Sequence, residues 1–189
     1  EPLPVDCKYY NPRIKFDGKY WYLTVGIEVE TEKSVLDGRI VGVDVGIREL
    51  AVTSDGVFYE NINKTASVRK VEKRLKRLQR RASKKYKKGT LKSKHLLKLE
   101  GKIRKHHRRL VNIRTNHVHQ ATAEIVKSKP FRIVMETLNI RGMMKDKHLA
   151  KAVANQKLYF FKQCLQYKCE LHGIEFVEAD QWFPSSKLC

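Results

Sequence analysis

The sequence predicts an α/β domain, a mixed sheet with helices on its faces and an inserted basic helical hairpin, preceded by strands of a separate β domain. Three observations lead there. Short apolar runs and long helical stripes follow one another as three strands, helices, strand, helix, strand, the order of a meander followed by βαβ units. Hydrophobic residues make up 41% of 189, enough for a buried core and too many for a wholly disordered basic tail. At roughly 100–200 residues per domain, the chain is one domain, or one and a fragment.

The elements follow in order. Residues 13–16 lead into Asp17-Gly18, a hairpin turn signal, and residues 19–27 return as a second strand. Two strands cannot bury a core alone, and Asp37-Gly38 is the expected boundary of this first region, residues 1–38. Residues 39–47 form an apolar run interrupted by Asp44; residues 49–53 and 57–60, joined by Ser54-Asp55-Gly56, complete an antiparallel meander. Val68, Val71, Leu75, Leu78 and Ala82 then recur at helical spacing. After Lys88-Gly89-Thr90 a second stripe runs through Leu96, Leu99, Ile103, His106, Leu110, Ile113 and His117, giving an antiparallel helical hairpin within residues 64–128. The helix continues to Lys129, where Pro130 breaks it. Residues 131–136 are a buried strand ending in Glu136. Lys151 to His172 reads as one helix, with Leu158, Phe161, Leu165 and Lys168 or Cys169 on its apolar face, Gly173 as C-cap, and residues 174–178 as the last strand.

The charge is concentrated. Lys64 to Arg114 holds 22 Lys and Arg against only Glu72 and Glu100, which accounts for the whole formal charge of +20. Such mutual repulsion is costly unless phosphates neutralise it, so the expected partner is a nucleic acid, bound through Lys73, Arg77, Arg80, Arg81, Lys84, Lys85, Arg104, Arg108 and Arg109. His106, His107, His117 and His119 lack the spacing that pairs ligands on one helix face, and are expected to pack or to touch phosphate. No run reaches the ~18 apolar residues of a membrane span, and Glu1-Pro2-Leu3-Pro4 is unlike a signal peptide. Four cysteines without a CxxC pair fit a reduced, intracellular protein.

Asp44 and Glu136 are the acids set in or ending the most apolar strands. A lone buried carboxylate costs several kcal/mol unless it is paired, protonated or bound to a cation. Converging on one sheet, the two would make an oxygen-rich site for Mg²⁺ or Mn²⁺, suited to phosphodiester hydrolysis beside a cationic surface. From the residues alone a structural role for both acids stands beside this one.

Val41-Gly42-Val43-Asp44-Val45-Gly46-Ile47-Arg48-Glu49-Leu50-Ala51 resembles the first RuvC motif of the transposon-encoded TnpB proteins, relatives of type V CRISPR effector nucleases. Residues 133–143, Ile-Val-Met-Glu-Thr-Leu-Asn-Ile-Arg-Gly-Met, resemble the second motif, and residues 182–189, Trp-Phe-Pro-Ser-Ser-Lys-Leu-Cys, the segment entering the zinc ribbon. The resemblance covers about residues 39–189, with residues 1–38 similar to the end of the family's β-barrel wedge domain. It implies an RNase H-like (RuvC) nuclease domain over residues 39–180 and an RNA-guided, metal-dependent DNA endonuclease, with guide RNA and target DNA as partners in a prokaryotic cytoplasm, close to the nucleoid. Asp44 and Glu136 carry over as two of three catalytic carboxylates holding Mg²⁺ (or Mn²⁺), with the displaced strand running past the basic hairpin. The third carboxylate of the family follows the ribbon, which residues 181–189 only begin: Cys189 matches the first Zn²⁺ ligand without its partners, and Asp180 precedes the ribbon and does not match the third motif. The resemblance therefore implies an incomplete active site and little cleavage by this chain alone. The alternative is a non-catalytic RNA- or DNA-binding module built on the basic hairpin.

Overall fold

A computed structural model describes residues 7–28 and 34–180. The described chain forms two compact units: residues up to 28 together with Arg69–Asn112, and residues from 34 to Val68 together with Ile113 to residue 180.

In the first unit, β1 (Tyr10–Phe16) and β2 (Trp21–Gly26) pair antiparallel around Asp17-Gly18, with Phe16 opposite Trp21. Gly18 takes a φ of +94°, which the tight turn requires and an L side chain resists. The rest of the unit comes from α1 (Ala66–Lys85) from Arg69 onward and from α2 (Lys94–Lys127) as far as Asn112. Val71, Leu75 and Leu78 of α1 and Leu96, Leu99 and Leu110 of α2 are buried, as the stripes predict. The Gln79 and His107 side chains meet at 3.3 Å, 28 residues apart, so α2 folds back along α1.

The second unit is built on a five-stranded mixed sheet in the order β5-β4-β3-β6-β7. Here β3 (Ile40–Val45), β4 (Ala51–Thr53) and β5 (Phe58–Tyr59) form the expected antiparallel meander, while β6 (Arg132–Glu136) runs parallel to β3 and β7 (Glu175–Ala179) parallel to β6. Strand alternation sorts the residues. Val41, Val43, Val45, Ile133 and Met135 form one buried core with Val118, Ala121 and Ile125 of α2 and with Phe161, Leu165 and Cys169 further along the chain. Gly42, Asp44, Val134 and Glu136 take the alternate positions and remain partly or wholly exposed. Leu36 packs against that core and the Asp37 N–H donates to Lys129 O at 2.9 Å, so the chain joins this unit before Asp37-Gly38.

One local expectation needs correction, and one short element goes beyond the sequence reading. A short helix, α3 (Ile140–Met143), follows β6, opened by Asn139, whose side chain accepts from the Gly142 N–H at 2.9 Å. The single helix expected from Lys151 to His172 is instead two, α4 (Ala150–Gln156) and α5 (Leu158–His172), because Lys157 adopts a left-handed conformation at φ +58°. Its ammonium donates to Thr115 Oγ1 at 2.7 Å and lies 4.8 Å from the Phe160 ring centroid, contacts that accompany the bend. On α5 it is Cys169 that is buried, while Lys168 reaches back to α2 and donates to His119 O and Thr122 Oγ1. Gly173 ends α5 at φ +69°, as its position predicts.

Candidate functional site

The parallel register pairs Val43 with Met135, so the next residues, Asp44 and Glu136, stand abreast on adjacent strands. Both belong to the alternation opposite the core, which puts them together on the accessible face. The Glu136 carboxyl is held above the usual carboxylate range, first by burial and then by the Asp44 charge and a hydrogen bond shared with it. Two carboxylates this close share a proton or a cation. They line an open cleft of about 540 Å³, walled also by Gly42, Ser54, Thr137 and Asp180. Ser54 fixes that wall: its Oγ accepts from the Gly42 N–H at 3.0 Å and its N–H donates to Gly42 O at 2.9 Å. Across the cleft, Thr137 Oγ1 donates to Ala179 O at 2.8 Å.

The donor set suits a hard divalent cation, since Mg²⁺ is commonly held by one or two carboxylates and keeps several waters. Among the described residues, no group of three or more His, Cys, Asp or Glu side chains gathers closely enough to hold a metal. Asp180, set aside on sequence grounds, lies in this cleft because β6 pairs Glu136 with Ala179, carrying the following residue to the same edge. The available signal was its place just past an apolar strand, as Glu136 ends another.

A polar clamp supports the loop that leaves Asp44. Gln156, 3% exposed, donates from Nε2 to Gly46 O at 3.1 Å and to Glu49 O at 3.4 Å. Its Oε1 accepts from Asn63 Nδ2 at 3.0 Å, and Arg114 Nε donates to Asn63 Oδ1 at 2.7 Å. Asn61 Nδ2 donates to Ile47 O at 2.7 Å, fastening the loop from the other side. No motif announced Gln156; its role depends on chain segments far apart in sequence.

Of the cationic residues singled out, Lys73, Arg77, Arg80, Arg81, Lys84 and Lys85 are exposed on α1, clear of the buried stripe, and Arg104 and Arg109 are exposed on α2. Arg108 is committed elsewhere. Its Nη1 donates to both Asp17 oxygens at 3.1 and 3.2 Å, with only 23% of the side chain exposed, and its guanidinium sits 5.4 Å from the Tyr20 ring centroid. Asp17 also accepts from the Tyr20 and Lys19 N–H groups and from the Tyr22 hydroxyl, which hold its carboxyl well below the usual range. Arg108 is thus the counter-charge of a hairpin turn 91 residues away, which the local charge pattern cannot reveal. Three of the four histidines singled out are engaged within the protein: His107 meets Gln79, His117 Nε2 lies 2.9 Å from Glu60 O, and His119 packs edge-on against Phe160. Cys189 and the ribbon-like segment 181–189 lie outside the described residues.

A mixed sheet bearing paired carboxylates, in a chain with a concentrated cationic segment, has counterparts among known proteins. Residues 24–147 match the OrfB_IS605 family model, described as "Probable transposase". The chain belongs to this family, the TnpB group whose motifs its sequence resembles. It is 31% identical over 189 residues to a "Putative RNA-guided DNA endonuclease" of Streptomyces pristinaespiralis, covering all of this chain and 45% of that protein. It is 35% identical over 127 residues to the "Putative RNA-guided DNA endonuclease InsQ" of Escherichia coli, covering 67% of this chain and 30% of that one. The chain therefore spans less than half the length of these relatives. Its fold is similar to a chain in the cryo-EM structure of a Cas12f1–sgRNA–target DNA complex, with a TM-score of 0.55 at 17% identity over 93% of this chain and 36% of that one. No helix among the described residues is long and apolar enough to cross a membrane.

Proposed function

We propose that this chain carries the nuclease core of an RNA-guided, divalent-metal-dependent DNA endonuclease, with an RNase H-like sheet and with guide RNA and target DNA as partners. The observation that carries the reading is the juxtaposition of Asp44 and Glu136 on adjacent parallel strands, where desolvation first and the Asp44 charge second hold the Glu136 carboxyl above its usual range. Asp44 and Glu136 would hold Mg²⁺ or Mn²⁺, and Asp180 sits in the same cleft wall. The chemistry a divalent cation would supply there is activation of a water and stabilisation of the departing oxygen of a phosphodiester. The protein's own part is to keep two acceptors aimed at one point, with the Gln156 and Asn61 clamps holding the loop beyond Asp44 and Ser54 holding the cleft wall. Exposed cations of α1 would neutralise the phosphates of the bound nucleic acid. The wedge assignment of β1 and β2, and Zn²⁺ bound through Cys189 in a longer protein, are parts of the same proposal.

Mn²⁺ titration followed by electron paramagnetic resonance tests it. The unaltered chain is expected to bind Mn²⁺ at one site or at a close pair, and Asp44→Asn or Glu136→Gln to weaken that binding at least tenfold while nucleic-acid affinity stays nearly unchanged. Binding of Mn²⁺ unaffected by both substitutions would remove the catalytic reading and leave the polyanion-binding module, which the exposed α1 cations support independently.

A further inference from the structure

The sheet register places more than the two acids in one line. Asp44 pairs with Val52 of β4, and Val52 pairs with Phe58 of β5. Residues opposite one another across a sheet share a face, so Phe58, Val52, Asp44 and Glu136 form one row across four strands. Phe58 stands two strands from Asp44, about 10 Å at the usual strand spacing. Its ring is 69% exposed at the edge of the sheet, where a core residue would be covered. Between Phe58 and Asp44 lies a second hollow of about 450 Å³, lined also by Val52, Gly46, Arg48 and Glu49. Arg48 is exposed, and its carbonyl accepts from Lys64 Nζ at 2.5 Å, which brings a second cation to the same loop.

We propose that this hollow is a nucleotide subsite for single-stranded DNA: Phe58 stacks on one base of the strand, and Arg48 pairs with a phosphate of the strand crossing toward Asp44 and Glu136. The chemistry matches at each point. A base offers a flat π-face to an exposed ring, and stacking of this kind tolerates any sequence. A guanidinium is the strongest side-chain partner for a phosphate. The hollow opens onto the acid pair at Asp44, which lines both cavities, so a strand seated on Phe58 is led to the carboxylates rather than past them. A duplex, whose bases are already stacked, cannot offer a free base to the ring. The subsite deepens the nuclease reading and rests on it for its purpose, but its binding signature is separate.

The test uses the whole chain with Arg77, Arg80, Arg81, Lys84 and Lys85 changed to Gln, so that cations of α1 do not mask a local contact. The probe is a twelve-nucleotide oligo-dT carrying a single 2-aminopurine, followed by fluorescence without divalent metal. Phe58→Ala is expected to weaken binding by about five- to a hundredfold and to abolish the stacking quench, with no change in salt slope. Phe58→Tyr should restore both. Arg48→Gln should weaken binding and lower the slope of log K against log salt by about 0.7. If Phe58→Ala binds and quenches like its parent, the subsite is refuted. Mn²⁺ binding measured on the same proteins separates the two claims: its absence in the parent would sink the carboxylate reading while leaving the stacking result to stand or fall on its own.

Discussion

Replacing Gln156 by Leu examines how the fold supports Asp44. The two side chains are similar in size, so the change removes hydrogen bonds without opening a large cavity. Three contacts disappear: Nε2 to Gly46 O at 3.1 Å, Nε2 to Glu49 O at 3.4 Å, and Asn63 Nδ2 to Oε1 at 3.0 Å. They are unequal. Asn63 Nδ2 keeps a second acceptor, Asn155 O at 3.3 Å, and the Glu49 bond is long. The main loss is the stranding of Gly46 O beside a residue only 3% exposed. An unsatisfied buried group costs about 1–3 kcal/mol, so about 2 kcal/mol is expected. Native-state hydrogen exchange of the β3 and β6 amides would read this as exchange roughly 30-fold faster where opening is global. Gln156→Glu should be at least as damaging at neutral pH, because it sets an ionised acceptor against two carbonyls, and milder in acid, where a protonated carboxyl donates again. Exchange changed less than twofold by Gln156→Leu would refute the idea that this clamp holds the loop.

The acid pair makes a prediction with a definite sign. The Glu136 carboxyl titrates above its unfolded range, through desolvation first and the Asp44 charge second, so the cost of its ionised form is absent below the ordinary Glu range and fully present above the raised value. Glu136→Gln should therefore stabilise the metal-free protein at neutral pH, the gain fading as pH falls through the raised value toward the ordinary one; a gain independent of pH in denaturation experiments would contradict the coupling. Mn²⁺ at a hundredfold excess over its dissociation constant should stabilise the unaltered protein by about 2.7 kcal/mol and Glu136→Gln much less, as seen in thermal unfolding. Changing Arg77, Arg80, Arg81, Lys84 and Lys85 to Gln should lower the salt slope of duplex binding by up to about 4.5, and an unchanged slope would exclude α1 as a phosphate surface.

Local pattern and physical chemistry carried much of this structure. Stripes at helical spacing predicted α1 and α2, because a helix must bury one face; alternating apolar runs predicted the meander, β6 and β7. The prominence of Asp44 and Glu136 was equally legible, since a carboxylate among apolar residues is expensive without a partner. Long-range contacts decided the rest. The break at Lys157 sits in a segment of continuous helical character, beside contacts to Thr115 and Phe160 that no local pattern contains. Arg108 belongs to Asp17 rather than to the open cationic surface, because charge counting treats every cation alike while the fold gives this one a counter-ion from a distant turn. Strand register, a property of pairing between distant segments, set Glu136 beside Asp44, brought Asp180 to their cleft and aligned Phe58 with them. Composition and periodicity determine which residues must be buried, paired or neutralised; only the folded chain decides which of them meet.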